Sequence, residues 1–236
     1  MDDKIFGQAS RSRHMKNKTL APGHSTRQAN KKLRRQKILN TARELIASQG
    51  YDAFTISELA NRSEVSIPTV HNLFGKKQDI VQELFGELVE RIDKVLAQPD
   101  IVDPVTSTEV FVDNLLTLYS DDEIFYRAAF LAGERLGLFE HEMSSGIFRK
   151  SLKIAERLCV QAHENGFLEG RLNSQWMAEQ LFGAQRLARQ DWVGGYITLA
   201  RFRQQALVGM LMTYAADATP PFHRRVCIKL DELMGP

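Results

Sequence analysis

Apolar residues recur at helical spacing along most of the chain. Ile38, Ala42, Leu45 and Ile46 mark one face of a helix from about residue 31 to residue 49, and Gly50 follows as its C-terminal stop. Two short helix starts come next. Thr55 with Glu58 reads as a capping box, stapled by Phe54 and Leu59, and that helix runs to about Arg62. Ser66 caps a second one between Val65 and Val70, with Pro68 in the first turn. Ile80, Val81, Leu84, Leu88, Ile92 and Val95 give a longer helix over about 78–97. Residues 98–104 read as a linker in which Pro99 and Pro104 stop helices. Six more helices are expected at about 107–119, 121–138, 140–165, 174–194, 198–216 and 222–234, with Thr219-Pro220-Pro221 as the last break. The expected fold class is all-α: an N-terminal three-helix domain over 31–77, then a helical domain over 78–236.

Two short helices joined by a turn of three to four residues form a helix-turn-helix. Ala60 is small where the two must cross. Ser66, Ile67, Pro68, Thr69, His71 and Asn72 occupy the start and outer side of the second helix. These side chains are short or polar, as a helix lying in a DNA major groove requires. Asn72 is the one best suited to a base edge, most naturally adenine.

Gly50-Tyr51, the capped Thr55, Leu59-Ala60-Asn61, Val65-Ser66, Thr69-Val70, Phe74 and Lys77 resemble the N-terminal domain of the TetR (tetracycline repressor) family of bacterial regulators. The specific resemblance covers roughly residues 33–85 and extends loosely over the helical remainder. The family pattern reads Ala-Gly-Val-Ser and then Leu-Tyr-X-Tyr-Phe, where this chain has Ser63-Glu64-Val65-Ser66 and Val70-His71-Asn72-Leu73-Phe74. Glu64 therefore stands where the family turn has glycine, and a left-handed backbone is expected there. His71 replaces a tyrosine whose hydroxyl commonly meets a phosphate. The resemblance implies phosphate contacts from Lys77, at a helix N-terminus, with Thr55 on the other side and Lys76 in the same turn as Lys77.

Charge sharpens this picture. The chain of 236 residues has a net charge of +2, but residues 1–77 carry 15 Lys and Arg against 6 Asp and Glu (+9), leaving 16 against 23 (−7) for residues 78–236. A basic front and an acidic back predict a polyanion at the front only. Residues 1–30 lack apolar periodicity and are expected to be a disordered basic arm. Lys31, Lys32, Arg34, Arg35 and Lys37 crowd the start of the first helix, against its dipole, which phosphates would relieve. Cys159 and Cys227 lack metal spacing and fit a reducing compartment, and no apolar run is long enough to span a bilayer, so a cytoplasmic location without membrane contact is expected.

The two helices over 174–194 and 198–216 are apolar on more than one face, and Ala206-Leu-Val-Gly-Met-Leu-Met212 is apolar all round. Such a pair needs cover on every side. Internal packing is one solution. A partner subunit is the other, and the family resemblance implies a four-helix homodimer seam, expected at Leu181, Ala184, Ala188, Ala206, Met210 and Tyr214. Phe125, Phe130, Met143, Phe148, Trp176, Met177 and Phe182 lie on several helices of the same domain. They are expected to line a pocket for a hydrophobic or aromatic effector, oriented by Gln185, Arg135 or His141.

The six histidines have no ligand spacing, and neither a phosphate-binding glycine loop nor a nucleophile elbow is present. No metal site, cofactor or catalytic residue is expected. The sequence thus points to a DNA-binding regulator, a repressor released from a palindromic operator by a small molecule. A protein of the same fold with a structural or cell-division role and a protein partner is the alternative, and an enzyme with an incidental helix-turn-helix is a third reading.

Overall fold

The computed structural model describes residues 22–96, 102–137 and 147–235. Contacts divide the chain into two compact units, residues 1–37 and 38–236. Helix α1 spans Pro22–Ala53, with the helical sense interrupted at Gly50 (φ 78°). The stop at Gly50 is where the sequence places it. The start is earlier than expected, because Pro22 suits a first helical turn and the following Arg, Gln, Ala and Lys residues are good helix formers without any apolar stripe. Residues 22–30 of the expected arm are therefore helical, and residues 1–21 lie outside the described residues.

Helices α2 (Ile56–Arg62) and α3 (Ile67–Phe74) form the helix-turn-helix. Thr55 Oγ1 accepts the Glu58 N–H at 3.1 Å, as a capping residue should. The reciprocal half of the capping box is replaced: the Glu58 carboxylate takes the Gln49 amide at 2.8 Å and so ties α2 to the end of α1. Phe54 and Leu59, the staple pair, are fully buried. At the turn, the Glu64 N–H reaches Asn61 O at 3.1 Å and the Val65 N–H reaches Ala60 O at 2.9 Å, the two bonds of a Schellman motif. Its left-handed residue is Glu64, with φ 56°. A side chain in that region costs roughly 1–2 kcal/mol that glycine would not.

Helix α4 (Lys77–Leu96) buries Ile80, Val81, Leu84, Leu88 and Ile92; the Val95 side chain lies outside the described residues. Then follow α5 (Pro104–Ser120), α6 (Glu123–Arg135), α7 (Ile147–Glu164), α8 (Ser174–Val193), α9 (Leu199–Ala215) and α10 (Pro220–Met234). Two prolines expected to end helices begin them instead. Pro104 and Pro220 each sit in the first turn of a helix, where the missing N–H costs nothing, and Asp103 caps α5 through the Thr106 N–H at 2.9 Å. Residues 138–146, part of the expected sixth and seventh helices, lie outside the described residues. An isolated β-bridge pairs Leu168 with Ala218.

Helix α8 packs against α7 and α9, and α9 packs in turn on α5 and α10. Between them lies an aromatic cluster centred on Tyr119. Its ring stacks on Trp192 at 5.1 Å and meets Phe130 (5.4 Å) and Phe202 (6.1 Å) edge-on. These rings are almost wholly buried, and burial of each is worth roughly 1.5–3 kcal/mol. Among the described residues no helix is long and apolar enough to cross a membrane.

Candidate nucleic-acid interface and interior cavity

The caps decide how α3 presents itself. Ser66 Oγ accepts the Thr69 N–H at 3.3 Å and lies 2.8 Å from Thr69 Oγ1, so the two hydroxyls brace the N-terminal turn. Val70 is buried against α2, which turns Ser66, Ile67, Pro68, His71 and Asn72 outward; all five are exposed, and Thr69 is half-buried. His71 Nδ1 lies 2.7 Å from Gly75 O. A carbonyl can only accept, so Nδ1 carries the proton. Nε2 then accepts in the neutral ring and donates in the imidazolium form.

The next turn is tied down as well. Asp79 accepts the Lys76 N–H at 2.7 Å, so the start of α4 already holds a carboxylate. The expectation of a helix N-terminus open to a phosphate is corrected to that extent. Lys76 itself is exposed. Lys77 is half-buried: its ammonium stands over the rings of Tyr51 (4.4 Å) and Phe54 (4.7 Å) and donates to Asp52 O at 3.3 Å. Burial holds its pKa below the ordinary lysine value. Thr55 is exposed, and its hydroxyl keeps a proton to donate.

A cavity of about 90 Å3 lies among α4, α5, α6, α7, α8 and α9. Phe130, Phe182 and Gln185, expected in the effector pocket, do line it, together with Phe111, Leu115, Tyr119, Leu158 and Arg189. Three other expected residues do not. Trp176 is 69% exposed on the outer face of α8, Met177 is buried elsewhere, and Phe125 is held beneath the Arg43 guanidinium, 4.1 Å from its ring centroid. Met143 and the Phe148 side chain lie outside the described residues, as does His141. Arg135 pairs with Asp52 and takes no part in the cavity.

Most of the residues expected at a dimer seam face the interior of the subunit. Leu181, Met210 and Tyr214 line the cavity, while Ala188 and Ala206 are fully buried within the subunit. Ala184 alone reaches the outer surface. There a groove of about 810 Å3 runs over Trp176, Gly183, Ala184, Leu187, Gly209 and Met212. Leu187 is 55% exposed and Met212 59%. Helices apolar on more than one face can cover an outer groove as well as the core, and the sequence alone does not choose which face a partner meets.

Residues 38–84 match the family described as "Bacterial regulatory proteins, tetR family". This segment is that of a TetR-family N-terminal domain. It is similar to the "Fatty acid metabolism regulator protein" of Bacillus subtilis, at 23% identity over 66% of this chain and 81% of that protein. It is also similar to the HTH-type transcriptional regulator QacR of Staphylococcus aureus, at 22% identity over 70% and 84%. Among solved structures, SmeT, the repressor of the Stenotrophomonas maltophilia multidrug efflux pump SmeDEF, matches with a TM-score of 0.62, at 18% identity over 80% of this chain and 92% of that one. The matched TetR segment contains the whole helix-turn-helix, and the chain is a DNA-binding transcription regulator.

Sequence reasoning missed Arg189 as a cavity residue. The signal was present: Leu181, Gln185 and Arg189 stand four residues apart on α8 and share one face, which carries polar groups into an apolar interior.

Proposed function

We propose that the protein is a cytoplasmic, homodimeric repressor that reads a pseudo-palindromic operator with α3 and is released by a small apolar effector held in the interior cavity. In this reading residues 31–77 contact DNA and residues 78–236 sense the effector and dimerise. The observation that carries the DNA assignment is the exposed row Ser66, Pro68, His71 and Asn72 on a helix fixed at its N-terminus by Ser66 and Thr69. Thr55 and Lys76 are exposed on either side of that row, with Lys77 half-buried beside Lys76. The second subunit covers the groove of α8 and α9. Its symmetry places the two recognition helices about one turn of DNA apart, roughly 34–36 Å or a modest stretch beyond.

The cavity supports the effector. At about 90 Å3 it exceeds the roughly 10–15 Å3 a single water needs and falls below the about 300–1,000 Å3 typical of ligand pockets. A guest therefore enters by repacking Phe111, Phe182 and Met210, pliable side chains on three different helices. Release of DNA follows only if the effector binds the spread conformation more tightly than the DNA-competent one.

The test is selection of DNA fragments from a random pool by the purified protein. A palindromic consensus is expected. Lys76→Ala or Lys77→Ala weakens binding to all sequences and lowers the salt dependence by about one counterion per subunit. Asn72→Ala changes the preferred base. A Lys77→Ala protein with altered sequence preference and an unchanged salt slope overturns these roles.

A further inference from the structure

The cavity wall is mostly apolar, with the hydroxyl groups of Ser107, Thr108, Ser151 and Tyr214 among its lining, and its charged residue is Arg189, which α8 places one turn on from Gln185 and beside Tyr119 of α5. Arg189 is 7% exposed. Its guanidinium lies 4.9 Å from the centroid of Phe130 and hydrogen-bonds the Tyr119 hydroxyl. Guanidinium groups only donate, so Tyr119 accepts from Arg189 and keeps its own O–H to give. Burial holds that hydroxyl protonated, with its pKa pushed up to about 12. The same burial presses on the charged form of Arg189. Exposed Glu134 acts in its favour and Arg186 against it. A cation in a wall of low polarity favours an anionic guest and repels a cationic one far more strongly than it would in water.

We propose that this cavity takes an amphiphilic monoanion, a carboxylic acid whose head group meets Arg189, Tyr119 and Gln185 and whose apolar tail lies among Phe111, Phe182 and Met210. The proposal rests on the effector reading above and names the chemistry of its ligand. Arg189 supplies a planar fork that matches a carboxylate, the Tyr119 O–H a further donor, and the Gln185 amide a third. An alcohol of the same chain length satisfies fewer of these donors, and a quaternary ammonium places like charge beside Arg189.

Three probes of equal tail length, octanoate, octanol and octyltrimethylammonium, decide the matter when titrated into the full-length protein by calorimetry and followed by thermal melting. Octanoate is expected to bind at least about tenfold more tightly than octanol, and octyltrimethylammonium not at all. In Arg189→Met the advantage of octanoate over octanol is lost, because an apolar side chain of similar reach replaces the charge. In Arg189→Lys the anion preference survives in weakened form, since the charge stays and the fork is gone. If either variant fails to fold, the wild-type series decides alone. Octanol bound as tightly as octanoate by the wild type, or an octanoate preference unchanged in Arg189→Met, overturns the anion proposal and leaves an apolar effector standing. Failure of all three probes to bind or to raise the melting temperature removes the effector cavity itself, and the proposal with it.

Discussion

Ser63 ends α2 with a buried hydroxyl that has no hydrogen-bond partner among the described residues, at 1% exposure. Its backbone N–H is satisfied by Leu59 O at 2.9 Å, so the strain lies in the side chain alone. A buried hydroxyl without a partner costs roughly 1–3 kcal/mol. Ser63→Ala is therefore expected to stabilise the protein by about 1 kcal/mol, a rise of roughly 2–4 °C in the melting temperature for a chain of this size. Thermal unfolding of the variant checks this; a lower melting temperature would mean that the hydroxyl has a role in the fold after all. At this scale much is legible in the sequence. The left-handed Glu64, the caps at Thr55 and Ser66 and the stop at Gly50 each depend on a few neighbouring residues, and each is where the pattern puts it. What local pattern does not show is the competitor: the Glu58 carboxylate goes to Gln49, and Lys77 lies over Tyr51 and Phe54, because partners distant in the pattern arrive with the fold.

Among elements, the pair α8 and α9 shows how packing overrides periodicity. The existence and approximate length of both helices follow from the sequence, as does their need for cover on two faces. Which face meets the core is set by the neighbours α5, α7 and α10; on α8 the buried Met177, Leu181 and Ala188 follow one helical stripe, whereas the all-apolar run 206–212 of α9 offers none. The closeness of their crossing is visible at Gly209, in the centre of the all-apolar run. A Cβ built there would lie 2.8 Å from Ala184 Cβ, so α8 and α9 cross with almost no room between them. Gly209→Ala is expected to destabilise by about 1 kcal/mol or more, because overpacking outweighs the gain in helix propensity. Gly86, exposed on α4 with nothing within 4 Å of an added Cβ, provides the contrast. There the same change is expected to stabilise by about 1 kcal/mol. Denaturant unfolding of the two variants side by side tests the crossing, and equal effects at both positions would show that the helices separate freely.

For the whole molecule, the proposed function requires that an event in the cavity reach DNA. Helix α6 touches both ends of that path. Phe130 lines the cavity, while Asp122 at the start of α6 meets Arg43 of α1 at 3.2 Å and Arg135 at its end pairs with Asp52. Asp52 O in turn accepts from Lys77 at the head of α4. On the proposed function, a shift of α6 would be felt where α1 and α4 support the helix-turn-helix, and the proposed dimer would convert it into a change in spacing between two recognition helices. That conversion needs a seam, and the outer face of α8 and α9 is where a large exposed apolar patch of the kind seams are made from lies. Met212→Asp and Leu187→Asp each put an unpaired charge at its centre and are expected to give folded monomers that lose operator affinity. Ala206→Asp is expected to act differently: Ala206 is fully buried within the subunit, so the charge unfolds the chain itself, beyond any loss of dimerisation. Sedimentation velocity with circular dichroism separates these results. Dimers that persist in both Met212→Asp and Leu187→Asp would place the seam on another face.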